Sequence, residues 1–217
     1  MSLRESVRRI PLAKEAYEYV TTRWGMRKTK SKIDRLLRSG TEIKIDLGGG
    51  YQPGRNGWLN VDVSPQADLF WDLRFGIPFP DGSVHHIYSS HLFEHLTFEQ
   101  TQGLLRECIR VLVPGGSFSI AVPDARRYIE AYVYGTQVPG GKLGWEPADN
   151  GTTAIDAVNY VAYMGGEHRY MFDQENLIHI LTLGGLDRVS ARLYDPTTDL
   201  RERDFESIYA IGFAPES

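Results

Sequence analysis

The spacing of apolar and polar positions divides the 217 residues into short strands and longer helices. Residues 11–23 and 29–39 carry helical spacing, and Gly40 is placed to cap the second segment. The pattern then changes. Ile43-Lys-Ile-Asp-Leu is a short β-branched run that halts at three glycines, as a central parallel strand does. Trp58–Val63, Ala67–Trp71 and Val84–Ser90 predict three more strands. Residues 98–112 repeat with helical period, with Leu104, Leu105, Cys108, Ile109 and Leu112 on one stripe. Pro114-Gly-Gly predicts a stop and a turn, and Ser117–Val122 a fifth strand. Further helices are expected over 124–134, 153–164 and 173–183, the first two separated by a Gly/Pro-rich stretch (135–152). Runs 186–193 and 206–213, joined by turn-like Asp195–Asp199, predict a closing hairpin and an antiparallel strand at the end of the sheet. No internal repeat is present. The pattern is that of an α/β domain with a mostly parallel sheet. We divide it into an N-terminal helical arm (1–40) and a domain over 41–217, with 136–172 as a lid or insertion.

Composition changes this picture little. Apolar residues (41%) and charged residues (24%) stand at ordinary globular levels. No stretch approaches the ~18 uncharged apolar residues of a membrane span. Arg4, Glu5, Arg8 and Arg9 interrupt the apolar core a signal peptide needs, so a cytoplasmic location is expected. Cys108 is the single cysteine, which excludes an internal disulfide framework and a cysteine-rich zinc site; within its helix it reads as a small core residue. Charge is more informative. Residues 1–38 hold eleven Lys/Arg against four Asp/Glu, and the remainder thirteen against twenty-four. The basic run from Arg23 to Lys32 suits peripheral contact with an anionic surface, or a solvated helix packed on an acidic body.

Candidate chemistry begins at Asp46-Leu-Gly48-Gly49-Gly50, directly after the first strand. Glycines there let the backbone turn sharply and approach a ligand, and ligands of open α/β sheets sit outside the carboxyl ends of the strands. Asp62 ends the second strand, where a carboxylate can accept from both hydroxyls of a ribose. Asp72 follows the third, where it can accept from an adenine amino group. The spacing opposes a dinucleotide: a third fingerprint glycine would fall at 53, which is Pro53, and Asp62 is 14 positions past Gly48 rather than about 20. Only seven residues, Tyr51–Gly57, join the first two strands, too few for the usual crossover helix, so that helix is expected to be shortened or missing.

From Lys44 to about Arg127 the chain resembles the class I S-adenosylmethionine-dependent methyltransferases, which have a Rossmann-like fold. The resemblance is carried by Ile45-Asp-Leu-Gly-Gly-Gly, Gly57-Trp-Leu-Asn-Val-Asp-Val, Asp72-Leu-Arg-Phe-Gly-Ile-Pro-Phe-Pro-Asp-Gly-Ser, Tyr88-Ser-Ser-His-Leu-Phe-Glu-His-Leu and Arg110-Val-Leu-Val-Pro-Gly-Gly. His168-Arg-Tyr-Met-Phe-Asp and Leu183-Gly-Gly-Leu resemble a small bacterial subgroup linked to cell-surface glycans. The resemblance implies that Asp46, Gly48 and Gly50 contact the methionine part of the cofactor, Asp62 the ribose, and Asp72 and Leu73 the adenine, with Gly49 and Val63 also at the cofactor. It sets Ser90 and His91 near the sulfonium. The departure from the family pattern is Pro53-Gly54 with the short crossover.

Transfer to a hydroxyl needs alignment, exclusion of water and a base. His91, His95 and His168 are the candidates, with unperturbed pKa values near ~6.5. His91 and His95 lie four apart, so on a helix they share one face, and Glu94 is able to orient one of them or to bind a metal; no third ligand is identified, so no metal is assigned. His85, His86 and His179 read as structural. Trp145, Tyr160, Tyr163, Met164, His168, Arg169 and Tyr170, with Tyr128 and Tyr132, suit a small-molecule or sugar acceptor or a lid packed on the sheet. Three rivals stay open: a scaffold that has lost its cofactor, a nucleic-acid methyltransferase, and a nicotinamide oxidoreductase. The acidic body and the absence of an Asn/Asp-Pro-Pro-aromatic motif disfavour nucleic acid. Monomer and homodimer are both open.

Overall fold

A computed structural model of the chain describes residues 11–141, 143 and 152–216, with backbone alone for 11–24. Seven strands form one sheet: β1 (Lys44–Leu47), β2 (Leu59–Asp62), β3 (Leu69–Phe70), β4 (Val84–Ser90), β5 (Leu112–Pro123), β6 (Asp187–Ala191) and β7 (Ser207–Phe213). Their order is β3-β2-β1-β4-β5-β7-β6. The first five strands pair in parallel, while β7 inserts antiparallel between β5 and β6. The helices are α1 (Pro11–Ser39), α2 (Phe98–Val111), α3 (Ala125–Tyr134), α4 (Ile155–Tyr163) and α5 (Gln174–Leu183).

One face of the sheet is apolar because alternate strand residues are. Ile45, Leu47, Val61, Leu69, Ile87, Phe118 and Ile120 pack with Leu104, Leu105 and Cys108 of α2 and with Leu177 and Leu181 of α5. Cys108 is fully buried there, as a core residue. Thr97 starts α2 with a reciprocal capping box to Gln100, which fixes where the chain leaves the site and enters the helix.

The second face is only partly covered. No helix separates β1 from β2, as the seven-residue crossover requires. Lys44, His86, Ser117 and Ser119 lie half-buried there, and His86 is held by Ser117 and Glu42. Over Asp46 and Tyr88 the helix's place is taken by segment 192–200. Asn56 Nδ2 donates to the Thr197 carbonyl, the Tyr88 hydroxyl donates to buried Asp199, and Arg192 grips the same carboxylate with two nitrogens at 2.6 and 2.7 Å. α3 and α4 form a separate apolar cluster around Tyr128 and Tyr160.

Two sequence expectations need correction. The helices at 11–23 and 29–39 are one helix through Gly25. A mid-helix glycine costs only about 1 kcal/mol, and this one is set by packing: a Cβ there would come within 2.6 Å of the Phe70 ring. Thr29 donates to the Phe70 carbonyl and Ile33 joins the core, so this half of α1 is fastened to β3. Pro114-Gly-Gly is likewise not a stop. β5 runs through it as an irregularity, Val84 pairing Leu112 while His86 pairs Ser117. Residues 1–10, including Arg4, Arg8 and Arg9, lie outside the described residues.

Gly25→Ala should therefore lower stability by about 1–3 kcal/mol, although alanine is the better helix former. Urea unfolding monitored by circular dichroism measures it; a stabilised variant would show that α1 is not held against Phe70.

Candidate active site

The site lies at the carboxyl ends of β1, β2 and β4. Gly48 and Gly50 adopt left-handed backbone conformations, φ +74° and +71°. In place of a helix N-terminus, the turn is held by side chains of β2: the Gly49 N–H donates to Asn60 Oδ1 (3.1 Å), the Gly50 N–H to Asp62 Oδ2 (3.1 Å), and Asn60 Nδ2 returns a bond to the Gly50 carbonyl. A Cβ on Gly49 would fall 2.8 Å from both Asn60 and Asp46, so glycine is required there by close approach.

A cavity of about 620 Å³ opens beside this turn. Gly48, Asp62, Val63, Asp72 and Leu73 line it, with Leu92 and Leu96 forming its far wall. The volume falls within the roughly 300–1,000 Å³ usual for small-molecule sites. Asp62 accepts from Ser64 N–H at Oδ1 and from Gly50 N–H at Oδ2, which leaves each oxygen a lone pair for a ligand. Asp72 is gripped by the Arg74 guanidinium (2.6–3.0 Å), which holds its carboxyl below the usual range. The Arg74 side chain is 84% exposed, so the pair is worth at most about 1 kcal/mol and a ligand can displace it. The cavity thus sets carboxylates beside apolar side chains, as a nucleoside's hydroxyls and base require.

Asp46 faces elsewhere. With Arg55, Trp58, Tyr88, Thr197 and Thr198 it lines a small recess under the segment that replaces the crossover helix. Its Oδ1 is buried without a hydrogen-bond partner, and burial pushes its pKa up to about 7. That oxygen is an acceptor able to meet an ammonium.

The chain past β4 divides this region. Ser90 is the last strand residue, half-buried. His91 has φ 52°, left-handed for a non-glycine residue, while its N–H still bonds the Ala121 carbonyl (2.9 Å). Residues 93–95 form a single 3₁₀ turn, so His91 and His95 do not share a helix face. Leu92 and Leu96 face the first cavity, whereas His91, Glu94 and His95 face a second one of about 340 Å³. His168, Tyr160 and Met164 line this second cavity from the far side, with Arg203 and Glu206. All three candidate bases thus converge there.

Their hydrogen bonds define their lone pairs. His95 Nδ1–H donates to the Glu167 carbonyl (3.1 Å) and His168 Nδ1–H to the Val161 carbonyl (2.9 Å), which leaves Nε2 of both unprotonated in the neutral rings. Ser207 spends its proton on the Arg203 carbonyl, so it accepts from His91 Nε2–H (2.9 Å) and leaves His91 Nδ1 as the acceptor, 3.4 Å from Glu94 Oε1. Burial depresses the pKa of His91 and His168, with further contributions from neighbouring charges, and keeps both rings neutral near pH 7. Burial raises Glu94 to about 8, and its Oε2 has no partner.

The other expected residues scatter. Tyr163, Arg169 and Tyr132 are exposed, Tyr170 stacks near Phe172 and Phe98, and Tyr128 is buried with its hydroxyl on Glu206. Trp145 lies outside the described residues. His85 accepts from Ile43 N–H, and His179 is exposed on α5. Sequence spacing did not reveal Arg203, Glu206 or Ser207, which arrive from the far end of the chain. Leu92 and Leu96 were visible as an apolar pair but carried no chemistry to mark them.

A family of methyltransferase domains matches over residues 70–120. No curated protein matches the chain in sequence. Among solved structures, an S-adenosylmethionine-dependent methyltransferase from Methanosarcina mazei is similar at 13% identity and TM-score 0.50, over 81% of this chain and 93% of that one. One from Archaeoglobus fulgidus aligns at 15% identity and TM-score 0.47, over 87% and 94%. Phosphoethanolamine N-methyltransferase 2 of Haemonchus contortus, solved with S-adenosylmethionine, aligns at 13% identity and TM-score 0.48, over 87% of this chain and 52% of that one. Among the described residues no helix is long and apolar enough to cross a membrane.

Asp46 gives a pH test. Its raised pKa means that the neutral form is the stable one in the fold, so the stability it contributes at low pH is lost as pH rises from about 3.8 through about 7. The stability of the wild type minus that of Asp46→Asn should fall over that window in urea unfolding; a flat difference would place Asp46 in contact with water. Residues 70–120 match a methyltransferase domain, and the sheet order together with the Methanosarcina mazei structure shows the fold that S-adenosylmethionine-dependent methyltransferases have.

Proposed function

We propose that the protein transfers a methyl group to an oxygen of a small-molecule or glycan-precursor acceptor that enters the second cavity. One observation carries this reading: His91, His95 and His168, whose lone pairs are on Nδ1, Nε2 and Nε2, line a cavity separated from the first by residues 91–96. A hydroxyl entering there meets acceptors and gives up its proton as it becomes the nucleophile. His91 is best placed to take it, because it leads directly into the dividing segment and is held neutral by burial. Asp62, Val63, Asp72 and Leu73 would hold the ribose and adenine, and Gly48 with the turn behind it the amino-acid part. S-adenosylmethionine, when bound, supplies a methyl group already activated on a sulfonium. Leu92 and Leu96 keep water from the cofactor side, and Tyr160 with Met164 form the acceptor side's outer wall. The modest size of the second cavity and its mixed aromatic and polar lining favour a small organic acceptor over a nucleic acid.

Calorimetry with S-adenosylmethionine and S-adenosylhomocysteine tests the cofactor half. Micromolar binding is expected, weakened at least tenfold by Asp62→Ala with the fold checked by circular dichroism. Absent binding to the folded wild type would favour a scaffold role. Nucleotide sugars are the first acceptors to screen. With an acceptor in hand, His91→Ala should lower turnover about 10²–10⁴-fold; unchanged turnover would remove His91 as the base.

A further inference from the structure

Glu94 is fully buried, and its Oε2 meets no hydrogen-bond donor among the described residues. Bare burial of a carboxyl without a partner is costly, which calls for a cation or a proton at that spot. His95 and His168 each spend their Nδ1 proton on a backbone carbonyl, at 3.1 and 2.9 Å, which leaves the lone pair on Nε2. The two rings stand nearly perpendicular, 77° apart, with centroids 5.0 Å from each other. One ligand atom each from Glu94, His95 and His168 lies within 4.8 Å of the other two, and His95 Nε2 is 4.0 Å from Glu94 Oε1. Three groups able to ligate an ion thus stand together.

We infer that Glu94, His95 and His168 form a mononuclear site for a divalent transition ion of the zinc class, with an open coordination position facing the acceptor cavity. The donor set decides the class of ion. Two imidazole nitrogens and one carboxylate oxygen suit zinc and its neighbours, whereas magnesium and calcium take oxygen ligands. Bonds of about 2.0–2.2 Å in a tetrahedron place ligand atoms about 3.4 Å apart, so side-chain rotations must draw together atoms that now stand 4.0 Å apart for His95 and Glu94 and within 4.8 Å for the set. The supporting contacts have the form metal sites use. Each imidazole is oriented by a carbonyl on its other nitrogen. The Glu94 carbonyl accepts from both the Arg169 and Tyr170 N–H groups (2.8 and 3.2 Å), which ties the turn after β4 to the segment that carries His168. Glu202 and Glu206 line the same cavity and favour a cation; Arg203, which also lines it, opposes one. His91 stays outside the set and keeps its lone pair.

The ion-binding claim stands independently of the methyltransferase reading. Only the role of the open position, as a seat for the acceptor's oxygen, rests on it. There the ion would lower the pKa of the bound hydroxyl and leave His91 to accept its proton.

The full chain, stripped with a chelator, is titrated with Zn²⁺ by calorimetry and with Co²⁺ by visible absorption. One equivalent is expected to bind, with Co²⁺ bands of a four- or five-coordinate site. His95→Ala, partly exposed and so tolerant of change, and Glu94→Gln should each weaken binding at least tenfold, while His86→Ala, on the opposite sheet face, should leave it unchanged. No saturable binding by the wild type, or binding that neither site variant weakens, would overturn the assignment. Calorimetry of the metal-free protein with S-adenosylhomocysteine separates this failure from failure of the cofactor site.

Discussion

The left-handed turn at His91 is the constraint on which the rest of the site depends. Its N–H still bonds the last part of β5 while its backbone has already left the strand direction. That reversal sends Leu92 to one cavity and His91, Glu94 and His95 to another. A residue continuing the strand would keep the sheet's simple alternation and leave no wall between the two. Strain of this kind costs of order 1–3 kcal/mol and persists only where the surroundings hold it. Here they do, through Ser207 on His91 Nε2 and through the two backbone N–H groups on the Glu94 carbonyl. Met164, across the second cavity, is also left-handed, at φ 36°.

The missing crossover helix has a consequence on the other side of the sheet. A helix there would cover Asp46 and Tyr88 with apolar side chains. Instead the linker between β6 and β7 lies over them, and polar side chains fit it to the sheet: Tyr88 and Arg192 both bind Asp199, and Asp199 also accepts from the Asp195 N–H. The glycine turn is fastened by Asn60 and Asp62 of β2 instead of opening a helix. A phosphate-binding helix N-terminus is thereby absent, which suits a cofactor that carries no phosphate.

Much of this was readable along the chain. Strand runs ending in glycines and carboxylates mark where β1, β2 and the following turn present Asp62 and Asp72. The short Tyr51–Gly57 link forecasts the absent helix by length alone. The misread elements share a cause: local signals were overruled by contacts far away in sequence. Gly25 looks like a helix break, but its lack of a side chain serves the Phe70 ring. Pro114-Gly-Gly looks like a stop, yet β5 carries it as an irregularity in its pairing with β4. The histidine pair at 91 and 95 suggests a helix face, whereas the observed turn brings both to one cavity by a different route. His168 could be named as a candidate but not located, because its position depends on the Glu94 carbonyl. Arg203, Glu206 and Ser207 carry no local pattern and become visible only once β7 is inserted beside β5.

Two cavities separated by residues 91–96 make up the central claim, with cofactor on the Leu92 side and acceptor on the histidine side. A crystal structure with S-adenosylhomocysteine bound tests it directly. The ligand is expected between Gly48, Asp62 and Asp72, against Leu92, with the cavity of His91, Glu94 and His168 left free for an acceptor. A ligand that fills the histidine cavity, or that displaces the 91–96 turn to bind, would contradict it.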